Sequence, residues 1–373
     1  MDHVNSHPIH IYLPNLKDGG AQHVMIRLAN HYVAHGFNVT LIVDSADGVQ
    51  RNKIGRAVNL VDLHAGNMLE ASVKLARFLK VHRPPTLLCA MTFANLPAVV
   101  AKRIARVSTK IVISERHACT EWLRGRRWTR RILYSVLIPL IYPHADAIIA
   151  VSRGVASDLA RFISVPKSSI DVIYNPSTDV SLSDVDRPKD VWFDEDEPLI
   201  VLGMGRLHPQ KGFDVLIRAF ALVLKQQAAR LVIVGEGPER ERLLRLAEQL
   251  DIAKYVRLTG YATDTIPYFA FSRVYVLSSR YEGFPNALVE ALSCGTTIVS
   301  TDCESGPKEI LAGGRIAPLV PVEDAEALAQ AIVEKIRNPN DPEVLRSRAA
   351  AFSITEIADQ YLAVLGRVED VKQ

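Results

Sequence analysis

Short apolar runs alternate with helical patterns along the first 174 residues of the chain. Residues 9–14 (IHIYLP) predict a buried strand, and apolar side chains recur at helical spacing over 21–36, where Gly36 ends the helix. Similar apolar runs return further along this half, at 38–43, 86–91, 110–114, 147–151 and 171–174. Strands that alternate with helices in this way indicate a parallel sheet with helices on both faces.

The alternation stops at residues 175–197, which are polar, rich in Asp and interrupted by two prolines. This composition predicts a linker. Strand patterns then return at 198–205, 230–235, 255–260, 274–278 and 296–300, and helices are predicted to start at 213, near 238 and at 285. We therefore predict two Rossmann-like domains, residues 1–174 and 198–352, with ligands at the carboxyl ends of their strands.

Composition agrees with a two-domain globular protein. The chain has 373 residues, of which 48% are hydrophobic and 23% charged, and this excludes a disordered or coiled-coil chain. The four cysteines contain no C-x-x-C pair, so we expect neither a zinc site nor a disulfide framework. The chain start lacks the blocks of a signal peptide, and no run of about 18 apolar residues is present. We expect a cytoplasmic protein.

The net charge of +3 conceals a difference between the halves. Residues 1–174 hold 22 Lys and Arg against 11 Asp and Glu, whereas residues 175–373 hold 22 against 30. The halves therefore carry +11 and −8, which suggests that they meet different partners.

One strand-to-helix loop of the second half carries two cations. Arg206 and Lys211 follow the strand that ends at Gly205, and a helix is predicted to begin near Gly212–Phe213. Two cations beside the positive end of a helix are suited to a diphosphate group. Two solvated loop charges are the alternative interpretation.

A second segment, EGFPNALVE at 282–290, combines two carboxylates with a helix start. Pro285 suits the first position of a helix, which places Glu282 in the preceding loop and Glu290 more than one turn inside. The backbone amides at the helix start could bind an anion, while the two carboxylates hold hydroxyl groups on either side of it. A nucleotide-sugar offers that combination of groups.

Taken together, five segments of the second half resemble the donor-binding domain of the family 4 glycosyltransferases, which have the GT-B fold. The seven-residue gap between Glu282 and Glu290 matches that family, and so does the spacing of Arg206 and Lys211. The five segments, which keep the family's order, are GRLHPQKG, LVIVGEGPERERL, LTGY, EGFPNALVEALSCG and DCESGPKEIL. The resemblance implies two Rossmann-like domains that face each other across a cleft.

The first half resembles the same family through Gly19-Gly20 after the first strand and through SERH at 114–117. His117 resembles the active-site residue that reaches the donor sugar or the acceptor. The resemblance implies that the donor diphosphate is bound by Arg206, Lys211, Gly19, Gly20, Gly283 and Phe284. It implies that the sugar, ribose and base are held by Glu282, Asn286, Ala287, Glu290 and Tyr261.

Within that set, the resemblance implies that Glu290 binds the ribose hydroxyls and that Glu282 faces the transferred sugar. It implies that the backbone near Tyr261 faces the base. His117 and Glu282 are accordingly the catalytic candidates. The implied enzyme is a retaining glycosyltransferase that takes a nucleotide-diphosphate sugar, with UDP favoured over GDP. Its acceptor is expected to be a lipid-linked glycan of envelope polysaccharide assembly, bound to the first domain. The last helix, about 353–370, is expected to pack back onto that domain.

No cofactor is expected, because the nucleotide-sugar is a substrate. No metal is expected either, since Arg206, Lys211 and helix amides can meet the phosphate charge. The acidic triplet at 194–196 has the D-x-D form of metal-dependent glycosyltransferases, but Asp194 and Asp196 sit among other acids and are interpreted as solvated linker charges. Two other classes stay open: a GT-B-like nucleotide-sugar epimerase, and a non-catalytic protein that binds a sugar nucleotide or a membrane.

A basic cluster in the first half predicts contact with an anionic membrane. Six arginines lie within 116–131 against one acid, and an apolar stretch at 132–142, too short to span a bilayer, follows them. Arg116 belongs to this cluster, and the predicted membrane contacts are Trp122, Arg124, Arg126, Arg127, Trp128, Arg130 and Arg131. No nucleic-acid motif accompanies the cluster, so nucleic acid is not an expected partner. The alternative is a core helix with a charged outer face.

Overall fold

The computed structural model describes residues 8–17, 19–177, 180, 182–189, 191–193 and 199–370. The chain divides into two compact units. The first is Met1–Pro176 together with Ile354–Gln373, and the second is Ser177–Ser353.

Strands and helices are numbered here in chain order. The strands of the first unit are β1 (Ile9–Leu13), β2 (Val39–Val43), β3 (Asn59–Asp62), β4 (Thr86–Ala90), β5 (Lys110–Glu115), β6 (Ala147–Ala150) and β7 (Ile170–Val172). Its helices are α1 (Gly20–Ala34), α2 (Met68–His82), α3 (Thr92–Ala105), α4 (Cys119–Arg124), α5 (Trp128–Ile141), α6 (Arg153–Phe162) and the last helix, α14 (Ile354–Asp370).

The strands of the second unit are β8 (Leu199–Met204), β9 (Ala229–Val234), β10 (Val256–Gly260), β11 (Val274–Leu277), β12 (Ile298–Thr301) and β13 (Leu319–Val320). Its helices are α7 (Phe213–Val223), α8 (Arg240–Gln249), α9 (Ile266–Ala270), α10 (Asn286–Cys294), α11 (Pro307–Ile310), α12 (Ala325–Arg337) and α13 (Pro342–Ala350).

Each unit is built on one parallel sheet. The described strands of the first unit pair in the order β3-β2-β1-β4-β5-β6-β7, and those of the second in the order β10-β9-β8-β11-β12-β13. In the first sheet Ile9 lies beside Val39 and Ile11 beside Leu88, both in parallel register. The strand order reverses between β1 and β4 and again between β8 and β11. Ligands of doubly wound sheets bind at such reversals, outside the carboxyl ends of the strands.

Apolar side chains on both faces of each sheet form the cores. Leu88 of β4 and Val112 of β5 are fully buried in the first core, and Val201 of β8 in the second. The last helix, α14, belongs to the first core, because Tyr361 is fully buried and the Tyr32 hydroxyl donates to the carbonyl oxygen of Ala358 at 2.9 Å.

The predicted fold class, an α/β protein with two Rossmann-like parallel sheets, is confirmed. Neither β3 nor β13 has a counterpart among the sequence predictions. β3 is a half-exposed edge strand and β13 has two residues, so neither produces a buried apolar run. The predicted linker, 175–197, lies partly outside the described residues.

Candidate active site

The loop after β8 is held tightly against the end of β11. Gly212 has a φ of +61°, and a Cβ at this position would come within 2.1 Å of the carbonyl oxygen of Ser278. The Ser278 hydroxyl in turn donates to the carbonyl oxygen of Lys211 at 2.8 Å. Glycine is required here by both the backbone conformation and the close approach. The contact fixes Lys211 beside the loop that carries Glu282.

Glu282 is a buried carboxylate with one cation beside it. Its side chain is 7% exposed, and Lys211 Nζ lies 2.6 Å from Oε1. The Ser279 hydroxyl donates to the same oxygen at 2.6 Å. The structure therefore brings two predicted site residues, Lys211 and Glu282, into direct contact. Ser279 was not singled out by sequence reasoning, although it lies three residues before Glu282.

Arg206 lies on the same loop as Lys211 and is exposed. Burial, and then the nearby charge of Arg206, hold the pKa of His208 below its ordinary value. The loop after β8 thus carries two cations, Arg206 and Lys211, and the guanidinium at its start is accessible, as an anion-binding loop requires.

Glu290 lies one turn inside α10 and is half-buried. The hydroxyl of Thr265 donates to its Oε2 at 3.0 Å, which ties the loop after β10 to α10. Tyr261 begins that loop and is 46% exposed. Burial, and then the charges of Glu282 and Glu290, raise the pKa of Tyr275 on β11 well above its ordinary value. The charges of both carboxylates therefore reach one buried hydroxyl, that of Tyr275.

The N-terminus of α10 has features that suit an anion. The helix begins at Asn286, so Pro285 occupies the N-cap position and not the first helical position that the sequence suggested. No described side chain caps this end, and its first turn holds no acid. Asn286 and Ala287 are half-buried in that turn, next to the buried Gly283 and Phe284. Uncapped N–H groups and the helix dipole together favour an anion.

The N-terminus of α7 is less available than the sequence suggested. Its first turn carries Asp214, whose two carboxylate oxygens each accept a 3.0 Å hydrogen bond from Arg280. Arg242 lies 3.7 Å from the same carboxylate. The hydrogen bonds and charge of Arg280 keep the pKa of Asp214 below its ordinary value, although burial opposes this. The positive end of α7 already faces a permanent anion, so it contributes less to a phosphate site than α10.

The predicted residues of the first unit lie at the carboxyl ends of β1 and β5. Gly19 and Gly20 begin α1, and Gly19 has an extended backbone. His117 follows β5, and its Nδ1 lies 2.9 Å from Oε1 of the buried Glu115. The Trp122 ring stands edge-on to the His117 ring, with centroids 5.1 Å apart.

The structure divides the basic cluster of 116–131. Arg116 does not belong to the surface, because its guanidinium donates to Asn175 at 2.7 Å and to the Tyr361 hydroxyl at 3.1 Å. Trp122 is half-buried, with its ring 5.1 Å from that of Tyr134 and Arg126 stacked 4.4 Å above it. The predicted membrane residues that are exposed are Arg124, Arg127, Trp128, Arg130 and Arg131.

The exposed side of α5 carries two arginines near its start, Arg130 and Arg131, and apolar side chains along its length. Trp128 is 73% exposed, Val136 59% and Leu140 63%. The helix continues through Pro139 to Ile141, so this proline does not interrupt it. The exposed apolar residues, which we call the α5 stripe, are Trp128, Ile132, Leu133, Val136 and Leu140.

In the part of the chain that the structure describes, no helix is long and apolar enough to cross a bilayer. The described residues also hold no cluster of three or more His, Cys, Asp or Glu side chains that suits a metal ion. Asp194 and Asp196 lie outside the described residues. All four cysteines are buried free thiols.

Comparison with known proteins covers both units. The family model described as "Glycosyltransferase Family 4" matches residues 18–177, and that described as "Glycosyl transferases group 1" matches residues 198–338. The lipopolysaccharide core biosynthesis glycosyltransferase LpsE of Rhizobium meliloti is 30% identical over 361 residues, which are 94% of this chain and 96% of LpsE.

A second relative is the N-acetylgalactosamine-N,N'-diacetylbacillosaminyl-diphospho-undecaprenol 4-alpha-N-acetylgalactosaminyltransferase of Campylobacter jejuni. It is 29% identical over 284 residues, which are 73% of this chain and 74% of the relative. Among solved structures, Anabaena Alr3699/HepE in complex with UDP-glucose has a TM-score of 0.81 at 20% identity and covers 97% of this chain and 100% of its own. That likeness shows the fold alone.

The fold and these matches define a glycosyltransferase of the GT-B class. The chain belongs to the family 4 glycosyltransferases, and it is a transferase. The comparisons thus favour this class over the epimerase and the non-catalytic binding protein.

The buried Lys211–Glu282 ion pair makes a stability prediction. Removing one partner of a buried pair leaves an uncompensated charge, so Lys211→Met should cost about 3 kcal/mol. For a unit of this size that corresponds to a melting temperature lowered by roughly 6–12 °C in scanning calorimetry. The double variant Lys211→Met/Glu282→Gln should recover much of the loss.

Lys308 provides the control, because its 3.9 Å pair with Asp302 lies at the surface. Lys308→Met should change the melting temperature little. An unchanged melting temperature in Lys211→Met would mean that the pair does not form in solution.

Proposed function

We propose that this protein is a retaining glycosyltransferase that moves a sugar from a UDP-sugar to a lipid-linked glycan during the assembly of a bacterial lipopolysaccharide or exopolysaccharide. The observation that carries the proposal is the Lys211–Glu282 pair at the end of β11, beside the uncapped start of α10. A cation, a carboxylate and a helix start without a side-chain cap at one place suit the diphosphate and sugar hydroxyls of such a donor.

The donor would bind on the second unit. Arg206 and Lys211 would neutralise the diphosphate, with the amides of Gly283 and Phe284 beside it. The ring of Phe284 packs on Phe352, with centroids 5.6 Å apart, so its backbone is held in place by its own side chain. Glu290 would accept bonds from the ribose hydroxyls, since it lies next to the loop that starts at Tyr261.

Asn286 and Ala287 would contribute the helix amides, and the backbone of Tyr261 would face the base. Glu282 would accept hydrogen bonds from hydroxyl groups of the transferred sugar. In the free protein its Oε1 is held by Lys211, so donor binding lets Lys211 share its charge with the phosphate. Negative charge grows on the departing diphosphate during transfer, and fixed cations there lower the barrier.

The first unit would bind the acceptor. His117 would contact the donor sugar or the acceptor hydroxyl, and the backbone at Gly19 and Gly20 would approach the diphosphate. The choice of donor and acceptor draws on similar proteins. The Anabaena structure holds UDP-glucose, and the Campylobacter relative is named for a diphospho-undecaprenol acceptor and an alpha product. An alpha product from an alpha-linked donor is net retention.

Donor binding tests the assignment of Arg206. Loss of one charge-assisted bond to a phosphate costs about 1.5–3 kcal/mol. Arg206→Ala should therefore weaken UDP binding by roughly one to two decades in titration calorimetry. Arg218→Ala is the control, because Arg218 is also exposed but lies on α7. The native protein should bind UDP more tightly than GDP, and equal UDP affinity in all three proteins would contradict the assignment.

Transfer itself should proceed without a metal, because Lys211 and Arg206 meet the phosphate charge. We expect label to pass from a UDP-sugar to a polyprenyl-diphosphate oligosaccharide in excess EDTA. The anomeric coupling of the product in NMR should report retention. Activity that vanishes with EDTA and returns with Mg²⁺ or Mn²⁺ would overturn metal independence, and an inverted product would overturn retention.

The α5 stripe supports peripheral attachment to an anionic membrane, on the cytoplasmic side where nucleotide-sugars are made. Residues four apart share a helix face, so Trp128, Ile132, Val136 and Leu140 form one line. Arg127, Arg130 and Arg131 surround its start and are exposed. An apolar line beside cations matches the interface of an anionic bilayer, where each basic residue adds about 1 kcal/mol at most. Trp122 and Arg126 face the protein and are left out of this surface.

Vesicle co-sedimentation tests this surface. The native protein should bind vesicles that contain anionic lipid, and binding should weaken as salt rises. One variant replaces Trp128 and Val136 with Ser, and a second replaces Arg127, Arg130 and Arg131 with Gln. Each variant should lose vesicle binding and keep UDP binding. Ile104→Ser/Arg103→Gln is the control, since both residues are exposed on α3 of the same unit. If the native protein does not bind anionic vesicles even at low salt, the proposed membrane contact of this surface is wrong.

A further inference from the structure

Glu115, at the end of β5, is a fully buried carboxylate that accepts four hydrogen bonds. Its Oε1 receives the backbone N–H of Arg116 at 3.0 Å and faces His117 Nδ1 at 2.9 Å. Its Oε2 receives the hydroxyls of Tyr142 at 2.6 Å and Thr92 at 3.2 Å. Besides the histidine ring, three donors converge on these two oxygens, an arrangement that favours an ionised carboxylate.

The carboxylate stays ionised although burial opposes it. Burial raises the pKa of Glu115, but the imidazole of His117 and the hydrogen bonds from His117, Tyr142 and Arg116 outweigh it, so the pKa lies below its ordinary value. Among the described residues, His117 is the basic side chain that faces it, because the Arg116 guanidinium is turned toward Asn175 and Tyr361. The nearby Tyr142 hydroxyl and Cys119 thiol stay neutral, since burial and the charge of Glu115 raise the pKa of both.

An ionised carboxylate accepts and does not donate, so the ring nitrogen that faces it must carry the proton. Nδ1 of His117 is then the protonated nitrogen and Nε2 the acceptor. Nε2 is buried and has no hydrogen-bond partner among the described residues. A buried polar atom without a partner is rare in a native protein and indicates a place where a ligand group binds.

We propose that Glu115 is a positioning residue for His117: it fixes the ring in the Nδ1–H form and so presents Nε2 as an acceptor for a hydroxyl group of the bound substrate. The hydroxyls of Tyr142 and Thr92 hold the carboxylate in place through Oε2, the oxygen that does not face His117. That the group bound by Nε2 is a substrate hydroxyl rests on the proposed function. The protonation of the ring at Nδ1 does not depend on it. The tetrapeptide SERH at 114–117 therefore contains two functional side chains, because Glu115 acts through His117.

The ring is examined first, without any substrate. In the ligand-free native protein with ¹⁵N-labelled histidine, long-range ¹H–¹⁵N spectra at about pH 8 should report His117 as the Nδ1–H form. The His117→Ala spectrum assigns the signal. Glu115→Leu removes the acceptor and should shift the ring toward Nε2–H, whereas Glu115→Gln keeps an acceptor oxygen and should preserve Nδ1–H. A native Nε2–H ring, or a ring unchanged in Glu115→Leu, overturns the proposal, and the first outcome needs no variant to fold.

Kinetics then separates positioning from a structural role. Glu115→Leu should lower kcat by about 10- to 100-fold, the effect known for losing a carboxylate behind a metal-bound imidazole, with Glu115→Gln between it and the native protein. In the His117→Ala background neither change should lower kcat further. An equal fall in both backgrounds would mean that Glu115 only supports the fold.

Asp146→Asn is the matched control, because Asp146 is a carboxylate next to the other end of β5, bonded to the N–H of Ile111 at 2.7 Å and to Lys102 at 2.6 Å. It should alter neither the His117 signal nor kcat. The two proposals fail separately. If the ring behaves as expected but His117→Ala keeps full activity, the role of His117 in the proposed function is wrong, whereas the link between Glu115 and the ring stands.

Discussion

The candidate donor site depends on one ion pair, Lys211 with Glu282, because neither side chain could stay where it is without the other. Glu282 is taken out of water beside a buried sheet end, and an unpaired carboxylate at that position would carry a large desolvation cost. The Ser279 hydroxyl donates to the carboxylate, and among the described residues Lys211 supplies the opposite charge. The backbone contact between Gly212 and Ser278 brings the cation close enough to do so. Gly212 and Lys211, the residue before it, thus serve the same electrostatic requirement.

The topology explains why these residues meet. In a parallel sheet all carboxyl ends lie on one edge, and at a reversal of strand order the two following loops diverge to opposite faces. The loops after β8 and β11 flank the reversal of the second sheet and carry the pair. The loops after β1 and β4 flank the reversal of the first sheet, and the loop after β5, which carries His117, comes next. Loops that leave the same edge of a sheet can bring functional side chains close together while the residues of the strands stay buried.

The sequence predicted the buried strands well, because each of them is a continuous apolar run. It could not predict β3, whose side chains are half-exposed. Nor could it predict which helix N-terminus remains available to an anion. The start of α7 looked available, but Arg280 and Asp214 lie 66 positions apart and only the fold joins them. Arg116 and Arg127 likewise look alike in a row of arginines. One of them bonds to Tyr361, 245 positions away, and the other faces solvent. Such side-chain directions are set by tertiary partners and not by local spacing.

Both units use the same arrangement to hold a nitrogen group at the edge of a sheet. In the second unit Glu282 is 7% exposed and holds Lys211; in the first, Glu115 is fully buried and holds His117. Each carboxylate also receives hydroxyl donors from its own unit, Ser279 in one and Tyr142 with Thr92 in the other. A carboxylate in low dielectric attracts its partner more strongly than one in water, and packed neighbours stop it from moving. The nitrogen groups are therefore oriented in the free protein, and under the proposed function little reorganisation would remain when charge develops during transfer.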